Sequence, residues 1–244
     1  MAIRRTFSIL ALAVLAAVSL AVLPSAASAA GPIPTSAVGS DLSWPQCGTS
    51  YPAGYSFGII GVTGGRPLKG NDCFAGEFAW AEAIGTPQLY LNLSYGQSQD
   101  GPLVCAAADA GCQAYNYGYD SAAWAHQYAH DQTGGASDSI GVWWLDVETA
   151  NTWSDSTDLN SYVIQGALDF LQRTAGTTAG IYSTSWMWGH LAGDFAPSNT
   201  PNWVAGASGL DDVGMCSASL WPGGEVWAIQ YLNFDIDLDQ NLGC

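Results

Sequence analysis

Val142-Trp143-Trp144-Leu145-Asp146-Val147-Glu148-Thr149 is the stretch on which the fold turns. It is short, β-prone and apolar except for two carboxylates two residues apart. Side chains on a strand alternate, so Trp143, Leu145 and Val147 share one face while Trp144, Asp146 and Glu148 share the other. The two acidic Cα atoms then lie about 6.6 Å apart. A strand apolar on both faces belongs in a sheet covered on both sides, as parallel sheets are. This one ends in an acidic tip.

The charge balance bears on that tip. The 244-residue chain has 21 Asp and Glu against 5 Lys and Arg, a formal net charge of −16. Arg4 and Arg5 fall in a removable leader, which leaves Arg66, Lys69 and Arg173. Most carboxylates must therefore be solvated, hydrogen-bonded or set against one another. Close carboxylates without a cation raise one pKa. A raised acid beside an ionised partner is what acid–base work on a glycosidic bond requires. The same acidity excludes nucleic acid as a partner, because no basic cluster exists to meet phosphates. It points to neutral or mixed-charge glycans, and it also serves the solubility of an exported protein.

Residues 1–29 read as an export signal: Arg4-Arg5, an apolar run from Ile9 to Leu23, then Ala27-Ser28-Ala29 as a small-residue cleavage site. Arg4-Arg5-Thr6-Phe7 suits the twin-arginine route and the apolar core suits the general secretory route. No second apolar span of membrane length follows, so no membrane association is expected after cleavage. Residues 30–40 form an N-terminal lead and 41–244 a single domain large enough to bury a full core. Six cysteines in an exported chain favour disulfides over metal or redox chemistry. Of the fifteen possible pairings, Cys47–Cys73, Cys105–Cys112 and Cys216–Cys244 each close one loop or tie down the C-terminal segment.

Strand-like runs bounded by Gly, Pro or Ser occur at Val38–Leu42, Phe57–Val62, Gln88–Leu93, Val142–Val147 and Ala179–Tyr182. Helical spacing occupies Cys73–Ile84, Ala122–His130 and Leu159–Thr174, the last with Asp158 as N-cap and Gly176 beyond its end. Gly96–Gly118 reads as a long loop over one barrel end. After Asn202 the runs Trp203–Ala207, Val226–Tyr231 and Phe234–Leu238 leave no room for long helices, so the last strands look hairpin-like. The pattern predicts a single-domain α/β fold, a TIM-like barrel of approximately (β/α)5(β)3.

Reactive residues of such barrels gather at the C-terminal strand ends. Asp41, Asp146 and Glu148 sit there, with one of Asp235, Asp237 and Asp239 near the last strand. Each has a plainer reading: Asp146 as a strand-end cap, Asp41 as a turn residue, and the three late aspartates as calcium ligands or solvated groups. Trp44, Trp144, Tyr182, Trp203, Trp227 and Tyr231 divide between core packing and sugar platforms. His126 and His130 have a helical metal-ligand spacing but no His-Glu-x-x-His pattern, and no metal is expected. Gly61-Val62-Thr63-Gly64-Gly65-Arg66 lacks the Lys-Ser/Thr ending of a phosphate loop and reads as a tight turn at the rim of the site.

Taken in order, these motifs resemble the family 25 glycoside hydrolases, the lysozyme-type N-acetylmuramidases. The likeness extends to related secreted glycoside-hydrolase-like domains of unknown function. Asp41-Leu42-Ser43 resembles the family's first-strand Asp-x-Ser, and Leu145-Asp146-Val147-Glu148 its Leu-Asp-x-Glu. Gly180-Ile181-Tyr182-Ser183, Trp203-Val204-Ala205, Val226-Trp227-Ala228-Ile229-Gln230-Tyr231 and Asp237-Leu238-Asp239 resemble later motifs. The resemblance implies Glu148 as general acid, Asp146 as the residue that steers the acetamido group, and Asp41 and Asp237 as supporting acids. It implies a glycan substrate, peptidoglycan foremost, cut at β-1,4 bonds without a cofactor by a secreted monomer. Trp44, Trp144, Tyr182, Trp203, Trp227, Tyr231 and Asn92 would meet the sugar. Where the family has a Tyr-His pair on its third strand this chain reads Leu89-Tyr90-Leu91-Asn92-Leu93, which leaves a non-catalytic glycan-binding barrel as the alternative.

Overall fold

A computed structural model describes residues 33–233 and 238–244. Eight strands close into one barrel in chain order: β1 Val38–Leu42, β2 Phe57–Gly61, β3 Thr86–Asn92, β4 Val142–Asp146, β5 Thr178–Ser183, β6 Asn202–Ala205, β7 Val226–Asn233 and β8 Leu238–Gly243. Neighbours from β1 to β7 are parallel, and β8 runs antiparallel to both β7 and β1. The expected α/β barrel with a hairpin-like end is therefore what the chain forms.

The alternation read from β4 holds. Trp143, Leu145 and Val147 face outward into the apolar layer beneath the helices, with Leu42, Ile60 and Leu91. Trp144 faces the lumen, which it fills together with Ile33, Phe57, Ile59 and Trp203. Two indoles in this plug find neutral acceptors: Trp144 Nε1 donates to Gln88 Oε1 at 2.7 Å and Trp203 Nε1 to Asn241 Oδ1 at 2.8 Å. A buried polar group left unpaired would be costly, so these pairs fix the rings.

Helices α1 (Phe74–Ile84), α2 (Ala110–Thr133), α3 (Thr157–Asp169) and α4 (Ser185–Leu191) follow β2 to β5. After β1 there is only a 3₁₀ turn, Trp44–Gln46, because Pro45 and the Gly- and Pro-containing run to Gly54 cannot sustain a helix. Two further expectations are corrected. Gly96–Gly118 is not all loop, since α2 starts at Ala110, where the Asp109 side chain accepts the Cys112 N–H at 3.0 Å. The buried face of α2 is built of small residues, Ala114, Gly118, Ala122, Ala125 and Ala129, and so carries little apolar signal. A Cβ on Gly118 would lie 1.9 Å from the Val163 carbonyl oxygen, so glycine is what lets α2 and α3 touch backbone to backbone.

The cap of α3 is Ser156, whose side chain accepts from Leu159 N–H, while Asp158 lies in the first turn. Among the described residues the eighth strand spans Leu238–Gly243; the expected run Phe234–Leu238 lies, but for Leu238, outside them. The disulfides are Cys47–Cys73, Cys105–Cys112 and Cys216–Cys244, as the spacing suggested. No described helix is long and apolar enough to cross a membrane.

Candidate active site

Asp41, Tyr90, Asp146, Glu148, Tyr182, Trp203, Gln230 and Asp239 line a cavity of about 160 Å³ in the mouth of the barrel. Parallel strands bring their C-terminal ends to this mouth, which places Asp41 on β1, Asp146 at the end of β4 and Glu148 two residues beyond. Strand β8 runs the other way, so its first residues reach the same rim. Its pairing sets Asp239 opposite Leu232, and the Ser40 hydroxyl donates to the Asp239 carbonyl at 2.8 Å.

Asp41 is held by neutral donors. Asn241 Nδ2 donates to its Oδ2 at 2.7 Å and Gln230 Nε2 to the same oxygen at 3.1 Å, while Tyr182 OH donates to Gln230 Oε1 at 2.7 Å. Burial, then the charge of Asp239, push Asp41 up from 3.8 to about 7 against those hydrogen bonds. Asp146 accepts from Asn92 Nδ2 through Oδ2, and its Oδ1 is buried without a hydrogen-bond partner. Burial and then the neighbouring Glu148 raise it well above the usual carboxylate range, opposed by Asn92. Glu148, more open, is raised chiefly by burial, drawn down by the nearby Tyr182 hydroxyl and raised again by Asp239. Trp153 Nε1 donates to the Glu148 carbonyl at 2.8 Å and pins the backbone at that point.

The cations stay away. Arg66 and Lys69 are exposed, and Arg173 Nη1 lies 3.3 Å from Asp169 Oδ2 beyond the far end of α3. Two like charges this poorly countered share protons rather than ionise together. The arrangement offers a proton donor and a hydrogen-bond acceptor side by side in a confined cup. Among the described residues no group of three His, Cys, Asp or Glu is placed to hold a metal. His126 stacks on Trp143 and His130 Nδ1 lies 2.9 Å from Asp138.

Of the residues singled out by sequence, Asp41, Asp146, Glu148, Tyr182 and Trp203 meet at the cavity; Asp237 lies outside the described residues. Asn92 stands behind Asp146 rather than on the wall. Trp44 is 53% exposed on the rim next to Gly65. Trp144 is buried in the plug, below the cup. Trp227 is the extra residue where the β6–β7 register shifts, near the opposite end of the barrel, and stands edge-on to Trp144. Tyr231 faces away from the cavity and donates to Gln240 Oε1 outside it. Period two explains the displacement: on β7 the lumen side belongs to Ala228 and Gln230, so Tyr231 must point out. The sequence reading missed Tyr90, Gln230 and Asn241; of its three late aspartates Asp239 lines the cup, while Asp235 and Asp237 lie outside the described residues. The polar run Asp239-Gln240-Asn241 was the available signal, since a strand that polar can be buried only with partners inside.

The chain has the fold of the lysozyme-type muramidases. The bacterial lysozyme from Streptomyces coelicolor superposes with a TM-score of 0.57 at 18% identity, over 86% of this chain and 93% of that one. A muramidase from Trichobolus zukalii matches with a TM-score of 0.55 at 18% identity, over 85% and 93%. A family GH25 lysozyme from Aspergillus fumigatus matches with a TM-score of 0.53 at 16% identity, over 85% and 93%. No protein-family model and no curated protein sequence matches the chain.

Proposed function

We propose that the protein is a secreted glycoside hydrolase that cleaves β-1,4 bonds of an N-acetylated glycan, peptidoglycan foremost. One observation carries this reading: Asp41, Asp146, Glu148 and Asp239 line a single cavity with no cation among the residues that line it. Glu148, raised and partly open, would protonate the leaving glycosidic oxygen. Asp146 would accept the acetamido N–H, so that the acetamido oxygen attacks the anomeric carbon as the glycosidic bond breaks. Water then opens the cyclic intermediate, giving its proton back to Glu148. This substrate-assisted route needs no second carboxylate as nucleophile and no cofactor. Asp41 and Asp239 would hold the proton balance of the cup. Three disulfides and the residue 1–29 leader, which lies outside the described residues, support export, and the protein is expected to act as a monomer.

The test is incubation of the mature protein with purified peptidoglycan, with the soluble fragments identified by mass. Muramic acid at new reducing ends supports the reading. Saturable wall binding without new reducing ends would instead select the non-catalytic glycan-binding barrel.

A further inference from the structure

Asp146 is held from behind by residues that never reach the cavity. Asn92, paired with Asp146 across the β3–β4 ladder, donates Nδ2 to Asp146 Oδ2. Its Oδ1 accepts the Thr63 hydroxyl at 2.8 Å, and its backbone N–H donates to that same Thr63 oxygen at 2.9 Å. Thr63 and Asn92 are 1% and 9% exposed, and neither lines the cup. Thr63 belongs to the Gly61–Arg66 turn. The Val62 N–H donates to the Tyr90 carbonyl at 2.9 Å, Asn71 Nδ2 to the Gly61 carbonyl at 2.9 Å, and Thr63 bridges to Gly70.

The proton bookkeeping fixes the amide. The Thr63 hydroxyl hydrogen goes to Asn92 Oδ1, so Nδ2 must face Asp146; a reversed amide would set a carbonyl against a carboxylate. Asp146 Oδ2 is thereby occupied, and Oδ1 remains buried with nothing bonded to it. A buried acceptor left unsatisfied is expensive, and a ligand N–H is the group that would relieve it.

We infer that Thr63 and Asn92 form a clamp that positions Asp146, committing Oδ2 to the protein and reserving Oδ1 for the acetamido N–H of an N-acetylated sugar. The inference rests on the function proposed above and adds two positioning residues to it. The clamp acts through Asp146, not on the substrate. Removing the Thr63 hydroxyl frees the Asn92 amide to turn and leaves its buried N–H without an acceptor. Removing Asn92 withdraws a donor from the ionised form of Asp146 and so raises its pKa further.

Two measurements test this. Carbon-13 NMR of carboxyl-labelled aspartate follows the Asp146 titration in wild type, Asn92→Leu and the near-isosteric Thr63→Val. Kinetics on purified peptidoglycan compare Thr63→Val with Thr63→Ser. The clamp requires the Asp146 midpoint to rise in Asn92→Leu and Thr63→Val, and requires kcat to fall about tenfold in Thr63→Val with KM little changed. Thr63→Ser, which keeps the hydroxyl, restores both readouts. An unmoved midpoint in both variants, or an equal loss in Thr63→Ser and Thr63→Val, overturns the clamp. If wild type hydrolyses nothing, the proposed function fails, while the titration still decides the clamp by itself.

Discussion

The two ends of this barrel bury polar groups in opposite ways. Below the cup the Trp144 and Trp203 indoles each find one neutral acceptor and pack with Ile33, Phe57 and Ile59. At the mouth, Asp41 and Asp146 are as buried as core residues, yet among the described residues the side chains that donate to them are amides, and neighbouring carboxylates add their charge. The packing below the cup is arranged for stability. The mouth keeps groups that burial disfavours in their charged form, which is how a functional site departs from the rules that the rest of a fold obeys.

The contrast can be broken first by Glu148→Gln. The proposed general acid is lost without loss of packing, so peptidoglycan hydrolysis should fall about 10²- to 10⁴-fold while the melting temperature holds. A variant that keeps its rate refutes the assignment. Trp144→Ala strikes the other end. It should destabilise the fold by about 3–5 kcal/mol, read by denaturant unfolding, with any activity loss following the unfolded fraction.

Asp41→Asn sharpens the comparison with a gain. The native state binds the Asp41 proton more tightly than the unfolded chain does, since its pKa lies at about 7 instead of 3.8. The stability due to that proton is full below about pH 4 and is lost as pH rises through about 7, and Asp146 and Glu148 act in the same direction. Melting temperature should thus decline from acid to neutral pH in wild type. Asp41→Asn should flatten this decline and melt about 2–4 °C higher at pH 8, as expected for roughly 1 kcal/mol in a chain of this size. A steeper decline in the variant would reverse the argument. Trp44→Ala, on the rim, should shift stability by less than about 0.5 kcal/mol and raise KM for polymeric glycan about threefold. Ligand-free melting curves and saturation kinetics separate the two effects.

Most of the frame was legible because burial on both sides of a parallel sheet leaves a plain signature. The first seven strands lie where short β-branched and aromatic runs meet Gly, Pro or Ser, and the two faces of Val142–Val147 were separable by alternation alone. Helix α2 was half hidden because its packing face is made of Ala and Gly with the polar Gln113, Asn116 and Ser121, and so carries little hydrophobicity. The site was legible as far as a strand's own parity reaches. Asp41, Asp146 and Glu148 follow from their positions at strand ends. The choice of Asp239, and the parts played by Gln230, Asn241 and Asn92, depend on register between strands distant in sequence, which no local pattern carries. The tryptophans were the hardest to sort, because one residue type serves as plug at Trp144, as bulge at Trp227 and as open rim at Trp44.

The antiparallel strand Leu238–Gly243 has a consequence for how the protein comes into being. It pairs with β1, some 200 residues earlier, and supplies Asn241 to Asp41 across a separation of 200 positions. Until the ribosome has released that segment, the first seven strands form an open sheet with two bare edges and an incomplete cup. Without that strand β1 and β7 each lose a pairing partner and Asp41 loses the Asn241 donor, so the barrel and the cup are completed together by the same segment.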